Sequence, residues 1–301
     1  MTLVALSIAG SDSGGGAGIQ ADIRTFAAFG VHATTAVTAV TAQNARRIDA
    51  VSILSPKMVA AQIDTVFADR PPAAIKIGML GSGGVVAAVA DRLSAHRGPP
   101  VVLDPVLVST SGTILLSEEG RRTLLRRLLP LASVVTPNLP EAALLTGLPP
   151  ARDQPEAIAQ AEILMRRGAG AVLIKGGHGE GAEAVDLLLH QGGVARFSAS
   201  RVAAAGMHGT GCMLSSAIAA GLAGNLSLCE SVARAKRFVW LAIASASRPA
   251  TDGRQCPSRA SHANVVESDV QGRGAVGEPS DGDEVDTGRG DLGDRGRRHP
   301  A

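Results

Sequence analysis

The chain predicts an α/β fold, with a mostly parallel central sheet covered by helices on both faces. Three observations carry this expectation. Short apolar, β-branched runs alternate with longer alanine-rich segments. Hydrophobic residues make up 45% of the 301 positions, enough for a sizeable core. Polar residues also gather where strands should end: Asp12, Gln43, Asn44, Asn138 and Lys175, with Asp104 inside a later strand. Parallel sheets place their ligands beyond the carboxyl ends of their strands.

The elements follow in order. Residues 2–9, "TLVALSIA", read as the first strand, and 18–30, "GIQADIRTFAAFG", as a helix closed by Gly30. Residues 33–41, "ATTAVTAVT", are β-branched and read as a strand, followed by a helix over 56–69. "AIKIGM" (74–79) is a strand, 83–96 a helix and "PVVLDPVL" (100–107) a strand. A helix over 117–129 leads into the strand "SVVTPN" (133–138). Another helix at about 155–167 precedes the strand "AVLIKGG" (171–177). "VDLLLH" (185–190) and "VARFSASRV" (194–202) suggest a hairpin, and helices at 209–223 and 227–247 close the pattern.

Composition narrows the function. A net charge of +2 is too balanced to argue for nucleic acid or an anionic membrane. Aromatics are 2% of the chain, with no Tyr, which speaks against base-stacking platforms. Cys212, Cys229 and Cys256 have neither disulfide-framework nor zinc-ligand spacing. The first residues lack a basic start, and their apolar run is too short for a secretory signal. No segment approaches the roughly 18 apolar residues of a membrane span. The expectation is a reducing, cytoplasmic compartment.

The composition changes abruptly near Arg248. The last stretch is rich in Gly, Asp, Arg and Ser and lacks aromatics. Such a sequence cannot bury enough apolar surface to offset its ordering entropy. A folded domain over 1–248 and a disordered tail over 249–301 are expected, the tail reading as a shifted frame or a terminal divergence.

Five clusters could carry chemistry. "AGSDSGGGAGIQAD" (9–22) puts glycines before a helix start, where backbone can approach an anion, or it is a flexible turn. "TAQNARR" (41–47) offers Gln43, whose amide matches a heterocycle, or it is a polar loop. Asp104 in "VVLDPV" is a carboxylate in an apolar strand, costly unless paired or metal-bound, and suited to Mg²⁺. In "TPNLPEA" (136–142), Asn138 and Glu141 could reach the same ion, form a capping box, or do both. Lys175 in "IKGGHGEG" (174–181) is a point charge for phosphate, or a solvated strand end. In "AAAGMHGTGCMLSSAIAAGLAG" (203–224), the amides of Gly209, Thr210, Gly211 and Cys212 could form an anion hole. Their field should lower the Cys212 pKa and make a thiolate base, unless Cys212 is an ordinary buried hydrophobe.

Together and in this order, "AGSDSGGGAGIQAD", "AVTAVTAQN", "KIGML", "VVLDPV", "TPNLPEA", "IKGGH" and "HGTGC" resemble the hydroxymethylpyrimidine/phosphomethylpyrimidine kinases of thiamine biosynthesis. The resemblance implies a ribokinase-like three-layer α/β/α sandwich. It implies ATP- and Mg²⁺-dependent phosphorylation of 4-amino-5-hydroxymethyl-2-methylpyrimidine, and then of its monophosphate. By resemblance, Gln43, Asp22, Gly10 and Met79 serve the pyrimidine, while Lys175, Asn138 and Thr210 serve ATP. Asp104 and Glu141 serve Mg²⁺, Gly209, Thr210 and Gly211 form the anion hole with Lys175 beside it, and Cys212 is the base where sugar kinases carry aspartate. Thr41 stands where the family can have an apolar pocket residue. The resemblance also implies a homodimer. Two alternatives stay open: a pyridoxal kinase of the same family, and a pyrimidine- or nucleotide-binding module with impaired catalysis.

Overall fold

The computed structural model describes residues 2–44, 46–109, 112–177, 181–202 and 209–246. The expected tail over 249–301, the domain boundary at 248, and Met207 and His208 lie outside the described residues. The described residues form one nine-stranded sheet in the order β3-β2-β1-β4-β5-β6-β7-β8-β9. The strands are β1 (Val4–Asp12), β2 (His32–Gln43), β3 (Ile48–Ile53), β4 (Ala74–Ile77), β5 (Val101–Leu103), β6 (Val134–Val135), β7 (Val172–Ile174), β8 (Glu183–His190) and β9 (Gly193–Ser200). Strands β2, β1, β4, β5, β6 and β7 run parallel, and β3, β8 and β9 add antiparallel edges.

The α-helices among the described residues are α1 (Gly18–Ala28), α2 (Pro56–Asp69), α3 (Gly83–Ala95), α4 (Glu118–Thr123), α5 (Leu139–Thr146), α6 (Gln154–Arg166), α7 (Thr210–Ala223) and α8 (Leu228–Ala246). They cover the sheet in two layers, and the strands alternate between them with the two-residue period of extended backbone. Leu6, Ile75, Ile77, Leu103, Val135 and Ile174 pack toward α2, α3, α5 and α6. Ala5, Ala74, Val102, Val134 and Leu173 pack toward α1, α7 and α8. The expected three-layer α/β/α sandwich is the observed architecture.

Four differences from the sequence expectation have physical causes. Strand β3 was not expected, because it is an exposed edge with no buried face to impose a pattern. Strand β5 ends at Leu103, before Asp104 and Pro105, rather than running to 107. The expected helix 117–129 is α-helical only to Thr123, and continues as a π-helical turn (Leu124–Leu128) and a 3₁₀ turn (Leu129–Leu131). Pro130 lacks the amide that an α-helix needs there. Strand β6 is two residues long and gives way to α5, whose start is the capping box of Asn138 and Glu141.

The order of the sheet positions the site. The chain leaves β1 to one side for β2 and crosses to the other side for β4, so the strand order reverses between β1 and β4. The crevice beyond the strand ends at such a reversal is where open α/β sheets bind ligands. Residues 10–18, Gln43, Met79, Asp104, Asn138 and Lys175 all follow or close parallel strands at that end.

Candidate active site

The first half of the site is the glycine loop between β1 and α1. Asp12 organises it: its carboxylate accepts the amides of Gly14 and Ala17, both at 2.8 Å. Gly18 stands at φ +57° with its Cβ position 2.3 Å from the Gly10 carbonyl oxygen, so no other residue fits there. The Cβ position of Gly10 lies 3.2 Å from the Met79 sulfur, which puts those two expected substrate residues in contact. Ser13 and Gln43 exchange bonds of 2.9 Å, Oγ to the Gln43 carbonyl and the Gln43 amide to Oγ, so the end of β2 is pinned to the loop. Thr41 is buried, and its hydroxyl lies 3.0 Å from the Ser11 carbonyl oxygen and 3.2 Å from Gln43 Oε1.

The second half gathers charge. Lys175 Nζ lies 2.7 Å from Asp104 Oδ1 and 4.0 Å from Glu141 Oε2. Thr136 and Ser215 also donate toward Asp104, each at 3.3 Å. The α7 start meets the same pair: a Cβ on Gly211 would stand 3.5 Å from Lys175 Nζ and 3.7 Å from Asp104 Oδ2. Asp186 steadies the turn after Lys175, accepting the Gly176 amide at 2.9 Å and the Lys236 ammonium at 2.8 Å.

Two carboxylates share one lysine here, and their protonation reflects it. Burial raises the Asp104 pKa, but Lys175 and Lys76 outweigh that and hold it below the usual carboxylate range. Burial and the Asp104 charge push Glu141 up to about 7, against the pull of Lys175. Burial would lower the Lys175 pKa, but Asp104 and Glu141 reverse this, so it stays charged. The donor set suits a hard cation. Among the described residues no group of three or more His, Cys, Asp and Glu forms a metal cage. Mg²⁺ characteristically takes only one or two carboxylates and fills its other positions with phosphate and water.

Two expectations are corrected. Asp22 does not face the substrate crevice: it is wholly buried, holding Lys76 at 2.8 and 2.9 Å and accepting Ser7 at 2.6 Å and Ser216 at 2.8 Å. The Cys212 pKa is raised, not lowered. Burial of the thiol outweighs the Lys76 charge and the Gly18 amide, both of which favour the thiolate. Asn138 is the N-cap of α5, its carboxamide oxygen accepting the Glu141 amide at 2.8 Å. Lys76 was missed in the sequence. Its only signal is a charge inside the apolar strand "AIKI", the same kind of signal that singled out Asp104.

The two halves meet at the start of α7. Gly209 caps that helix at φ +87°, with its Cβ position 2.0 Å from the Gly16 carbonyl oxygen. The glycines of the first loop and of the helix start are therefore one requirement, a backbone-to-backbone contact. Thr210, Gly211 and Cys212 open α7 with amides that no preceding turn uses. A helix start with open amides, a lysine and a carboxylate pair stand together, and the glycine loop meets Met79 at Gly10 and Gln43 at Ser13.

The chain is similar to known proteins. Residues 12–255 match the family model described as phosphomethylpyrimidine kinase. A hydroxymethylpyrimidine/phosphomethylpyrimidine kinase from Rhizobium meliloti is 52% identical over 248 residues, covering 82% of this chain and 93% of that protein. The crystal structure of a phosphomethylpyrimidine kinase from Clostridium difficile 630 superposes with a TM-score of 0.72 at 39% identity, covering 80% of this chain and all of that one. A pyridoxal kinase from Staphylococcus aureus, in complex with AMP-PCP and pyridoxal, gives a TM-score of 0.72 at 31% identity over 81% of this chain and 88% of its own.

Proposed function

Since the chain belongs to the phosphomethylpyrimidine kinase family, we propose that its crevice carries out the two ATP-dependent phosphorylations of 4-amino-5-hydroxymethyl-2-methylpyrimidine in thiamine biosynthesis. The chain is a kinase and uses ATP. The observation that carries the assignment of roles is the convergence of Lys175, Asp104 and the Gly211 backbone at the start of α7.

Phosphoryl transfer asks little covalent work of a protein and depends on positioning and charge. Lys175 and the amides of Thr210, Gly211 and Cys212 hold the transferring phosphoryl group, their dipoles and charge set before reaction. Asn138 and Thr210 flank the nucleotide phosphates. Asp104 and Glu141 would hold Mg²⁺, which when bound neutralises phosphate charge. Gln43 offers its amide to the aminopyrimidine edge, and Met79 with Gly10 walls the ring. In the first reaction the Cys212 thiolate takes the proton of the substrate hydroxyl and becomes a thiol. The freed oxygen attacks the γ-phosphorus, and the bond to the β,γ-bridging oxygen breaks to release ADP. A homodimer is the expected state, and no helix among the described residues is long and apolar enough to cross a membrane.

The test is ATP consumption by the full-length chain, with the pyrimidine, its monophosphate and pyridoxal side by side. Turnover of both pyrimidines above pyridoxal supports the proposal. A preference for pyridoxal, the ligand in the S. aureus complex, would transfer the same machinery to that aldehyde. Binding without turnover would leave a pyrimidine-binding protein.

A further inference from the structure

Beneath the site lies a polar island in an otherwise apolar layer. Ser7 on β1 and Lys76 on β4 are direct partners across the two parallel strands. Asp22 on α1 binds Lys76 with both oxygens, and Ser7 and Ser216 donate to it. Lys76, Asp22, Ser7 and Ser216 all have 0% relative exposure. A buried ion pair is a poor way to hold a fold together, since apolar residues of similar volume commonly do as well or better. The pair calls for a reason other than stability.

Its position supplies one. A Cβ on Gly78 would lie 2.8 Å from Lys76 Nζ, so the lysine runs up along its strand toward the carboxyl end of the sheet. Ser216, which holds Asp22, is four residues beyond Cys212 on α7 and so lies on the same helix face. We propose that Lys76 is the positioning element for Cys212, a fixed cation held under the thiol by Asp22 of α1, which Ser7 and Ser216 steady in turn. This rests on the reading of Cys212 as the base. Lys76 acts on the sulfur through space and touches no substrate.

The charged groups around the thiol are Lys76 from β4, Asp22 from α1, Asp104 from the end of β5 and Lys175 from the end of β7. Lys76 favours the thiolate, whereas Asp22 and Asp104 oppose it. Lys76 itself keeps its proton: burial would strip it, but Asp22, Cys212 and Asp104 raise its pKa instead. It is thus a permanent cation where charge is needed only while the hydroxyl proton moves.

The experiment is the pH profile of Cys212 alkylation by iodoacetamide, in the full-length chain carrying Cys229→Ser and Cys256→Ser. This readout needs neither ATP nor turnover, so it stands apart from the kinase assignment. Lys76→Met is expected to raise the alkylation midpoint by about one pH unit, and Asp22→Asn to lower it. Loosened packing would move both in the same direction. Should Lys76→Met not fold, Lys76→Met/Asp22→Asn, which buries no lone charge, carries the test with a smaller rise. A midpoint unmoved in the folded Lys76 variants, or shifts of the same sign in Lys76→Met and Asp22→Asn, overturns the proposal. If the midpoints shift as expected but Cys212→Ala keeps full turnover, the charge element stands and the base assignment falls.

Discussion

Gly209 and the carbonyl of Gly16 are in backbone contact, with room for no side chain between them. Gly209→Ala therefore meets two obstacles, a left-handed φ of +87° and a Cβ only 2.0 Å from that oxygen. The left-handed conformation alone costs an L-residue about 1–2 kcal/mol, and the overlap adds to it. The expected outcome is a folded but destabilised protein with the α7 start pushed off the glycine loop. Denaturant midpoints and kcat measured together check this, and kcat should fall more than the loss of stability explains.

Cys212→Ala should separate the two phosphorylations. A substrate hydroxyl needs its proton removed, and a positioned base contributes about 10²–10⁴-fold. The monophosphate is already largely ionised near neutral pH, its second pKa being about 6 in phosphate monoesters. The first reaction should therefore lose about two orders of magnitude or more, and the second far less. Steady-state rates on each substrate give the comparison. In the parent enzyme, the first reaction should also quicken as pH rises into the alkaline range, because burial keeps the thiol protonated below it.

Lys175→Met should lower kcat on both pyrimidines by about 10²-fold or more, with little change in affinity for the unphosphorylated pyrimidine, because in the proposed mechanism Lys175 meets the phosphoryl group and not the ring. It also strips Asp104 of its 2.7 Å partner. Removing one member of a buried pair costs about 3–5 kcal/mol, so thermal unfolding should move down with activity.

Glu141→Gln should stabilise the protein at pH 8 while weakening catalysis. The folded pKa of Glu141 is raised from 4.5 to about 7, so the native state binds the extra proton. Stability from this group therefore falls as pH rises between those values, and the ionised form costs up to about 3 kcal/mol above them. Glutamine removes that cost and can still accept the Asn138 amide in the capping box. The gain in Tm over the parent should be present at pH 8 and vanish below pH 4.5, with both proteins melted in the same buffers.

Much of this site was legible in the sequence, because strand ends announce themselves. Lys175, Asp104 and Gln43 each interrupt or follow an apolar run, and the helix start at Thr210 is flanked by Gly209 and Gly211. What could not be read was which charge pairs with which. Asp22 lies in a helix that scans as ordinary and amphipathic, and nothing local says that its partner is Lys76, 54 residues away. The Cys212 thiol went astray for a related reason. A helix start favours an anion, but the cost of burial depends on walls contributed by other elements. Strand β3 escaped because an exposed edge carries no alternation.

The bond from Ser216 to Asp22 spans 194 residues of sequence. At a synthesis rate of about 5–20 residues per second, the glycine loop leaves the ribosome roughly ten seconds or more before its partner helix is made. For that interval β1, α1 and β4 can pair Asp22 with Lys76, but the face awaiting α7 is open and charged. The candidate site is thus among the last parts of the molecule to be completed, and a chain released early would lack the open amides of α7.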